Sequence, residues 1–409
     1  MISRGLVDGR RARGNPLDRR GAPDAILAFA VMALMGIGAV MVLSASAIPD
    51  FIKQADPFAT ALPQAVWTLA GLALLTVTAR VDWRLVRRLA PLLYAVVVVL
   101  LILVLIPGVG IEAGGSSRWL RLAPGLPTIH PAEIAKIATV LAIAALVDTG
   151  RARVRTVQGS LTVAGVIALP LLLVLAEPDL GTASILAVGG LAAYFVAGAP
   201  FRFLVPAVAL GVLAAAVALS LNDYQAARIT AWLDPWSDPQ GAGFHTIQGF
   251  IGIARGGLTG VGLGAGEQAA SLYLPNAQND YIFAVIAEET GLAGSLLVSG
   301  LFLAVVLRGL VIASRAPSRF ASIAAAGITA AIGFQAFANI GVVTGLFPVT
   351  GVPLPFVSAG GSSLLVLSVA AGILLAISRE QGDGRVPLAS IAVAAARRAP
   401  VKAQILRGR

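Results

Sequence analysis

The sequence predicts an all-α polytopic membrane protein of ten transmembrane helices, with a long extracytoplasmic loop between helices 7 and 8. Three observations carry that prediction. Hydrophobic residues make up 57% of the 409 residues and charged residues only 12%, with a mean hydropathy of +0.87. A soluble fold, with about a quarter of its residues charged, cannot hide so much apolar surface, so lipid must be part of its solvent. The apolar residues also fall in runs of bilayer length, roughly 20 residues each, and the basic residues fall in alternate connections between those runs, as the positive-inside rule requires.

Taken in order, the runs lie near 25–48, 64–81, 89–107, 132–148, 160–176, 182–199, 203–221, 281–311, 320–346 and 360–378. The first follows an Arg-rich start and is longer than a signal peptide's apolar core, so it reads as an uncleaved anchor. A basic turn with Arg80, Arg84, Arg87 and Arg88 separates the second from the third. The fourth is short and opens on Glu133 and Lys136. The fifth to seventh are almost purely apolar, the eighth carries Glu288 and Glu289, and the tenth follows Gly345 to Ser363, where three prolines and several glycines interrupt apolar sequence. Broken backbone at membrane depth is tolerated only where protein buries it or it lines a cavity. With the N-terminus inside, every Lys and Arg except Lys53, Arg118, Arg121, Lys136, Arg228 and Arg255 falls on the cytoplasmic side. Both termini are therefore expected in the cytoplasm, and the net charge of +10 reads as topology rather than nucleic-acid binding. The domain plan is a basic tail (1–23), a ten-helix unit (24–379) and a second basic tail (380–409), both tails too polar to pack and expected near anionic headgroups.

Function classes narrow by subtraction. The absence of cysteine removes disulfide scaffolds, thiolate metal sites and cysteine nucleophiles, and two histidines cannot make a histidine-rich metal site. The run GVGLGAG at 260–266 lacks the Lys-Ser/Thr and the strand–helix frame of a nucleotide loop and reads as an external turn. Trp232, Trp236 and Phe244 read as headgroup anchors. The segment 222–280 is far longer than connectivity needs, so it is expected to be a working element, mobile over the site and ending at Asp280.

The ionisable residues with chemical promise collect at the outer helix ends. Glu133 and Lys136 share a helix face three residues apart, just after Arg118 and Trp119 in GGSSRWLRL; they read equally as a structural ion pair. Asp179 sits in EPDLGT, and Asp280 sits where the long loop enters the eighth helix. Arg118, Glu133, Lys136, Asp179 and Asp280 can converge on one outward cavity, with cations for an anionic substrate and a carboxylate to take a proton: a phosphate-linked group-transfer site.

At this point the sequence resembles the SEDS family, the shape, elongation, division and sporulation proteins typified by FtsW, RodA and SpoVE. The blocks GSSRWLRL with HPAEIAK, EPDLGT, RITAWLDPWSDPQGAGFHTIQGFIGIARGGLTGVGLGAGEQ, YLPNAQNDYIFAVIAEETG and NIGVVTGLFPVTGVPLPFVSAGGSSL run in family order from about residue 25 to 378. The last two lean toward the FtsW branch. The resemblance implies a peptidoglycan glycosyltransferase that polymerises lipid II at the outer face of the bacterial cytoplasmic (inner) membrane. It would work with a class B penicillin-binding protein among divisome or elongasome membrane proteins. It maps the family's proposed catalytic aspartate onto Asp280 and other important polar positions onto Arg118, Glu133, Lys136 and Asp179; Arg228, Gln248, Arg255 and Ser358 complete the expected substrate-binding set. No cofactor is required, because the substrate carries its own diphosphate leaving group; a divalent cation (Mg or Mn) assisting the diphosphate stays open. The chain departs from the family pattern at His130 and Ala132 (for glutamine and serine), Glu177 (for glutamine), Asn279 (for threonine) and Ala359 (for tyrosine), and ALPQ lacks the basic residue common near Pro63. A lipid II flippase, which Glu288 and Glu289 about two turns into the eighth helix would suit, and a noncatalytic scaffold for a transpeptidase are the alternatives.

Overall fold

The computed structural model describes residues 21–113, 116–121, 128–220, 223–270, 274 and 277–380. The tails beyond them, residues 122–127 and parts of the YLPNAQ block lie outside the described residues. The fold is helical: α1 (Ala25–Gln54), α2 (Ala61–Thr78), α3 (Trp83–Val104), α4 (Pro131–Asp148), α5 (Val157–Ala176), α6 (Leu180–Val196), α7 (Phe201–Ser220), α8 (Asp223–Leu233), α9 (Phe244–Gly256), α10 (Glu267–Ala270), α11 (Ile282–Ser314), α12 (Arg319–Val343) and α13 (Gly361–Ser378). Starts are fixed by side chains that satisfy the first free amides: Asp24 caps α1, Thr156 caps α5, Asp179 caps α6 and Ser318 caps α12.

Seven of these, α1, α2, α3, α5, α11, α12 and α13, are long and apolar enough to cross a membrane, while Leu180–Val196 and Phe201–Leu213 are apolar but shorter. Helix α4 is different in kind. It carries Glu133, Lys136 and Asp148, yet nearly all of it is buried. Its alanines let α3, α6 and α12 approach on all sides, which is how small residues drive helix packing where no water is displaced. By contrast α2, α3 and α7 turn large apolar side chains such as Leu69, Leu92 and Leu210 outward.

Three details differ from the sequence reading. The first helix continues past residue 48 to Gln54, through Pro49. The segment 222–280 is not a bare loop but holds α8, a 3₁₀ turn at Pro235–Ser237, α9 and α10. The all-α expectation also has a small exception, an antiparallel hairpin of β1 (Gly110–Ala113) and β2 (Ser116–Leu120) with a bulge at Ile111/Glu112. Strands of four and five residues around Gly114 and Gly115 give too little alternation to be read from sequence.

The chain ends meet. Gly21 N donates to Arg379 O (2.9 Å), the Asp24 amide donates to Ser378 Oγ (3.0 Å), and the Arg308 guanidinium pairs with the Asp24 carboxylate.

Candidate active site

At the opposite end from those termini the chain builds a polar cavity of about 460 Å³. The hairpin supplies its first wall. Leu120 and Ile129 exchange backbone hydrogen bonds (2.9 and 2.8 Å), which sets Trp119 beside His130 so that the two rings stack 4.9 Å apart. Arg118, next along β2, donates from Nε to Glu177 O (3.2 Å) and from Nη2 to Pro178 O (2.8 Å), tying the hairpin to the turn between α5 and α6. That turn delivers Asp179. One of its carboxylate oxygens accepts the Thr182 amide at 2.9 Å to cap α6, and the other stands 3.7 Å from His130 Nε2.

The interrupted segment 345–363 forms the facing wall. Gly351 adopts φ +71°, a conformation that glycine takes without cost, and so lets the backbone turn beside Asp280. Asn339 Nδ2 donates to Asp280 O (2.7 Å) and Val352 O (2.8 Å), and Ala359 N donates to Gln278 O (2.8 Å), so the entry to α11 is sewn to this segment. Asp280 is half-buried and lines the cavity. Burial pushes its carboxyl above the usual range, against its own backbone amide and the charges of His245 and Arg228, which pull it down.

Below the cavity floor, Lys136 Nζ lies 2.9 Å from Glu133 Oε2 and donates to Gln335 Oε1 at 2.8 Å, and Ser363 Oγ donates to Glu133 Oε2 at 2.8 Å. Glu133 reaches the cavity. Lys136 is only 2% exposed and is not among its lining residues, so it acts on the site through Glu133. Beside the cavity, Glu177 is 1% exposed and neither carboxylate oxygen has a hydrogen-bond partner among the described residues. Burial, with Asp179 adding to it and Arg118 opposing, pushes this carboxyl up to about 8.

The structure thus brings Arg118, Glu133, Asp179 and Asp280 to one cavity, sets Arg228 near enough for its charge to act on Asp280, and keeps Gln248, Arg255 and Ser358 out of the cavity wall. Arg228 lines a second, apolar groove of about 410 Å³ between α5, α6 and α7, where it stands with Arg118 and Asp179; those two residues line both spaces. Gln248 sits half-buried on α9, outside either space. Arg255 pairs with Glu267 and approaches Glu288 (3.6 Å), and Ser358 Oγ accepts the Leu354 amide at 2.8 Å inside a turn. Sequence reasoning missed Thr60, Gln64, Trp67, Ser362 and Ser363, which also line the cavity. Gln64, whose Oε1 accepts from Gly360 N at 3.3 Å, follows the Pro63 that marks the missing basic residue. Trp232, expected as a headgroup anchor, donates from Nε1 to Gly345 O at 2.9 Å.

This arrangement has relatives. Residues 25–383 match the family of cell cycle proteins that groups FtsW, RodA and SpoVE. The chain belongs to that family. It is 38% identical to stage V sporulation protein E of Bacillus subtilis strain 168 over 363 residues, 88% of this chain and 98% of the relative. It is 40% identical to the probable peptidoglycan glycosyltransferase FtsW of Geobacter metallireducens over 359 residues, 87% of this chain and 94% of the relative. Among solved structures it resembles a chain of a peptidoglycan synthase complex studied for the coordination of polymerization and crosslinking, with TM-score 0.72 and 33% identity, covering 88% of this chain and 98% of that one.

The two glutamates about two turns into α11 belong to a different construction. Ser44 Oγ donates to Glu289 (2.7 Å), as does the Gly264 amide (3.2 Å), while the amides of Glu267 and Gln268 donate to Glu288 (3.0 and 3.2 Å). The glycine run read as a free external turn is instead laid on α11 where that helix breaks at Gly291 (φ 65°), with Val261 N and Gly262 N donating to the carbonyls of Glu288 and Glu289 (both 3.0 Å). A Cβ at Gly260 would stand 2.1 Å from Glu289 O, so the fit requires glycine.

Proposed function

We propose that this chain polymerises peptidoglycan glycan strands from lipid II at the outer face of the bacterial cytoplasmic membrane. Transfer is inverting, with Asp280 as the base, and serves cell division alongside a class B penicillin-binding protein. The observation that carries the reading is the shared wall: Arg118 and Asp179 belong both to the polar cavity holding Asp280 and to the apolar groove between α5, α6 and α7. A lipid-linked diphosphate needs that adjacency, with an isoprenoid chain in an apolar groove and the diphosphate at its polar end.

In the reaction the acceptor's 4-hydroxyl gives its proton to the Asp280 carboxylate as its oxygen forms the bond to the anomeric carbon of the donor. The bond from that carbon to the diphosphate breaks, and the lipid diphosphate leaves with the electron pair. Arg118, whose guanidinium reaches the cavity from the 177–178 carbonyls, offsets the charge that develops on the leaving group. One base and one displacement give inversion. Burial raises the Asp280 carboxyl above its ordinary value, the direction that strengthens a base. A Mg or Mn ion assisting the diphosphate would arrive with it, since phosphate and water fill most of such an ion's shell; chelation tests that part.

Ten spans with both termini cytoplasmic complete the proposal. The pairing of Gly21 with Arg379 supports an even number of crossings, and interior burial accommodates the charges that α4 carries. The flippase alternative loses its support at Glu288 and Glu289, whose lone pairs are taken by backbone amides and Ser44 rather than facing a route. The test is glycan-strand synthesis from lipid II by the purified full chain with its transpeptidase partner. Long strands are expected; transbilayer movement of lipid II without polymer would refute the reading.

A further inference from the structure

Glu133 and His130, both buried, titratable side chains of the cavity wall, have no part in the chemistry above; Glu133 is held by Lys136 and Ser363, and His130 is not so held. It is 8% exposed, its Nε2 has no hydrogen-bond partner among the described residues, and it lines the polar cavity. Stacking on Trp119 fixes the ring plane, and the backbone bonds between Leu120 and Ile129 fix its approach, so Nε2 is held 3.7 Å from Asp179 Oδ2, too far for a hydrogen bond. A buried polar atom kept from its nearest partner costs free energy unless something else fills the role. Arg118, which touches the diphosphate in the reading above, lines the same wall.

We propose that His130 is a substrate-positioning residue: its Nε2 donates to the diphosphate of the lipid-linked substrate and takes up a proton when that substrate binds. The inference rests on the lipid-linked transfer proposed above. The charges facing the imidazole are Glu133 and Lys136 from its own helix, Asp179 from the α6 start and Arg118 from β2. Without substrate, burial holds the imidazole below its ordinary value, Lys136 and Arg118 push the same way, and Glu133 and Asp179 pull it back, leaving it neutral near pH 7. A bound diphosphate adds negative charge at Nε2 and raises the proton affinity there. By linkage, the substrate then binds more tightly the lower the pH, across the window between the free and bound titrations. The limiting slope is about tenfold in KM per pH unit for one proton. A diphosphate diester has no proton of its own to exchange in this window. Glu177, titrating near 8, acts on the alkaline side of it.

The experiment is the pH dependence of KM and kcat for lipid II between pH 5.5 and 7.5 with the full chain and its partner, for wild type and His130→Gln. Glutamine keeps a hydrogen-bonding group near Nε2 and cannot titrate. The wild-type KM is expected to rise several-fold across the range and the variant's to stay flat, while the pH of half-maximal kcat, set by Asp280, is the same in both. Calorimetry in two buffers of different ionisation heat should count proton uptake on lipid II binding by the wild type and none by the variant. A parallel KM slope in His130→Gln, or no uptake by the wild type, overturns the inference while leaving the polymerase reading intact. Absence of lipid II turnover by the wild type overturns both. If the variant does not accumulate, ¹³C-histidine spectra decide: of the two imidazole signals, the one remaining in His245→Gln should titrate at higher pH with lipid II bound, and an unmoved titration refutes the role.

Discussion

Asp280 and the pair Glu288–Glu289 lie about two turns apart on one stretch of chain, and their surroundings are opposite. The glutamates, almost fully buried, are saturated by the backbone amides of Gly264, Glu267 and Gln268, by Ser44 and by the approach of Arg255. Asp280 faces a cavity, is restrained mainly through its carbonyl by Asn339, and keeps its carboxylate for a ligand. Buried acid in a membrane protein is therefore a weak functional signal by itself. What separates structure from chemistry here is whether the lone pairs are already spent.

That contrast can be broken at either end. The largest stability effect is expected at the saturated end: Glu288→Ala strands two buried amides at about 1–3 kcal/mol each, read as loss of folded protein in the membrane, while Arg255 keeps Glu267. Lys136→Met should come close behind, because it leaves Glu133 buried without its cation; folded yield should fall with activity. Arg118→Met sharpens the comparison, since its guanidinium reaches the cavity: strand synthesis should drop at least tenfold while yield holds.

Glu177→Gln works in the opposite direction. The folded carboxyl titrates at about 8 against 4.5 in the unfolded chain, so between those values the folded state binds more protons and stability falls as pH rises. An amide removes that loss: at pH 7.5 the variant should be more stable than wild type by up to about 4 kcal/mol, three pH units at about 1.36 kcal/mol each, and the gap should close toward pH 5. The smallest effect is expected at Gln248, half-buried on α9 and outside the cavity, where alanine should change the rate by less than about twofold.

Much of this was legible in the sequence, for physical reasons that also mark its limits. Every predicted apolar run overlaps a helix, because burial in lipid or in a helical interior leaves the same hydropathy signal. The clustering of Arg118, Glu133, Asp179 and Asp280 at one set of helix ends followed from where charge interrupts those runs. Gln64, Trp67 and Ser363 escaped because they reach the cavity only once the interrupted segment 345–363 folds back against α2, a non-local event with no local pattern. Arg255 and Ser358 looked like site residues because polarity was visible and its partner was not; Glu267 and the Leu354 amide had already claimed them. The glycine run misled in the same way, since flexibility in sequence became a close fit against the break at Gly291.

The most direct test of the central claim is Asp280→Asn, assayed for lipid II polymerisation and thermal unfolding on the same purified sample with its partner. The amide keeps the shape and the fold contacts made through the backbone carbonyl, so the melting temperature should stay within a few degrees of wild type while the polymerisation rate falls by on the order of 10³. Strand synthesis at a rate near wild type from a folded Asp280→Asn sample would contradict the account, because a side chain that cannot accept the proton would then be doing without the base.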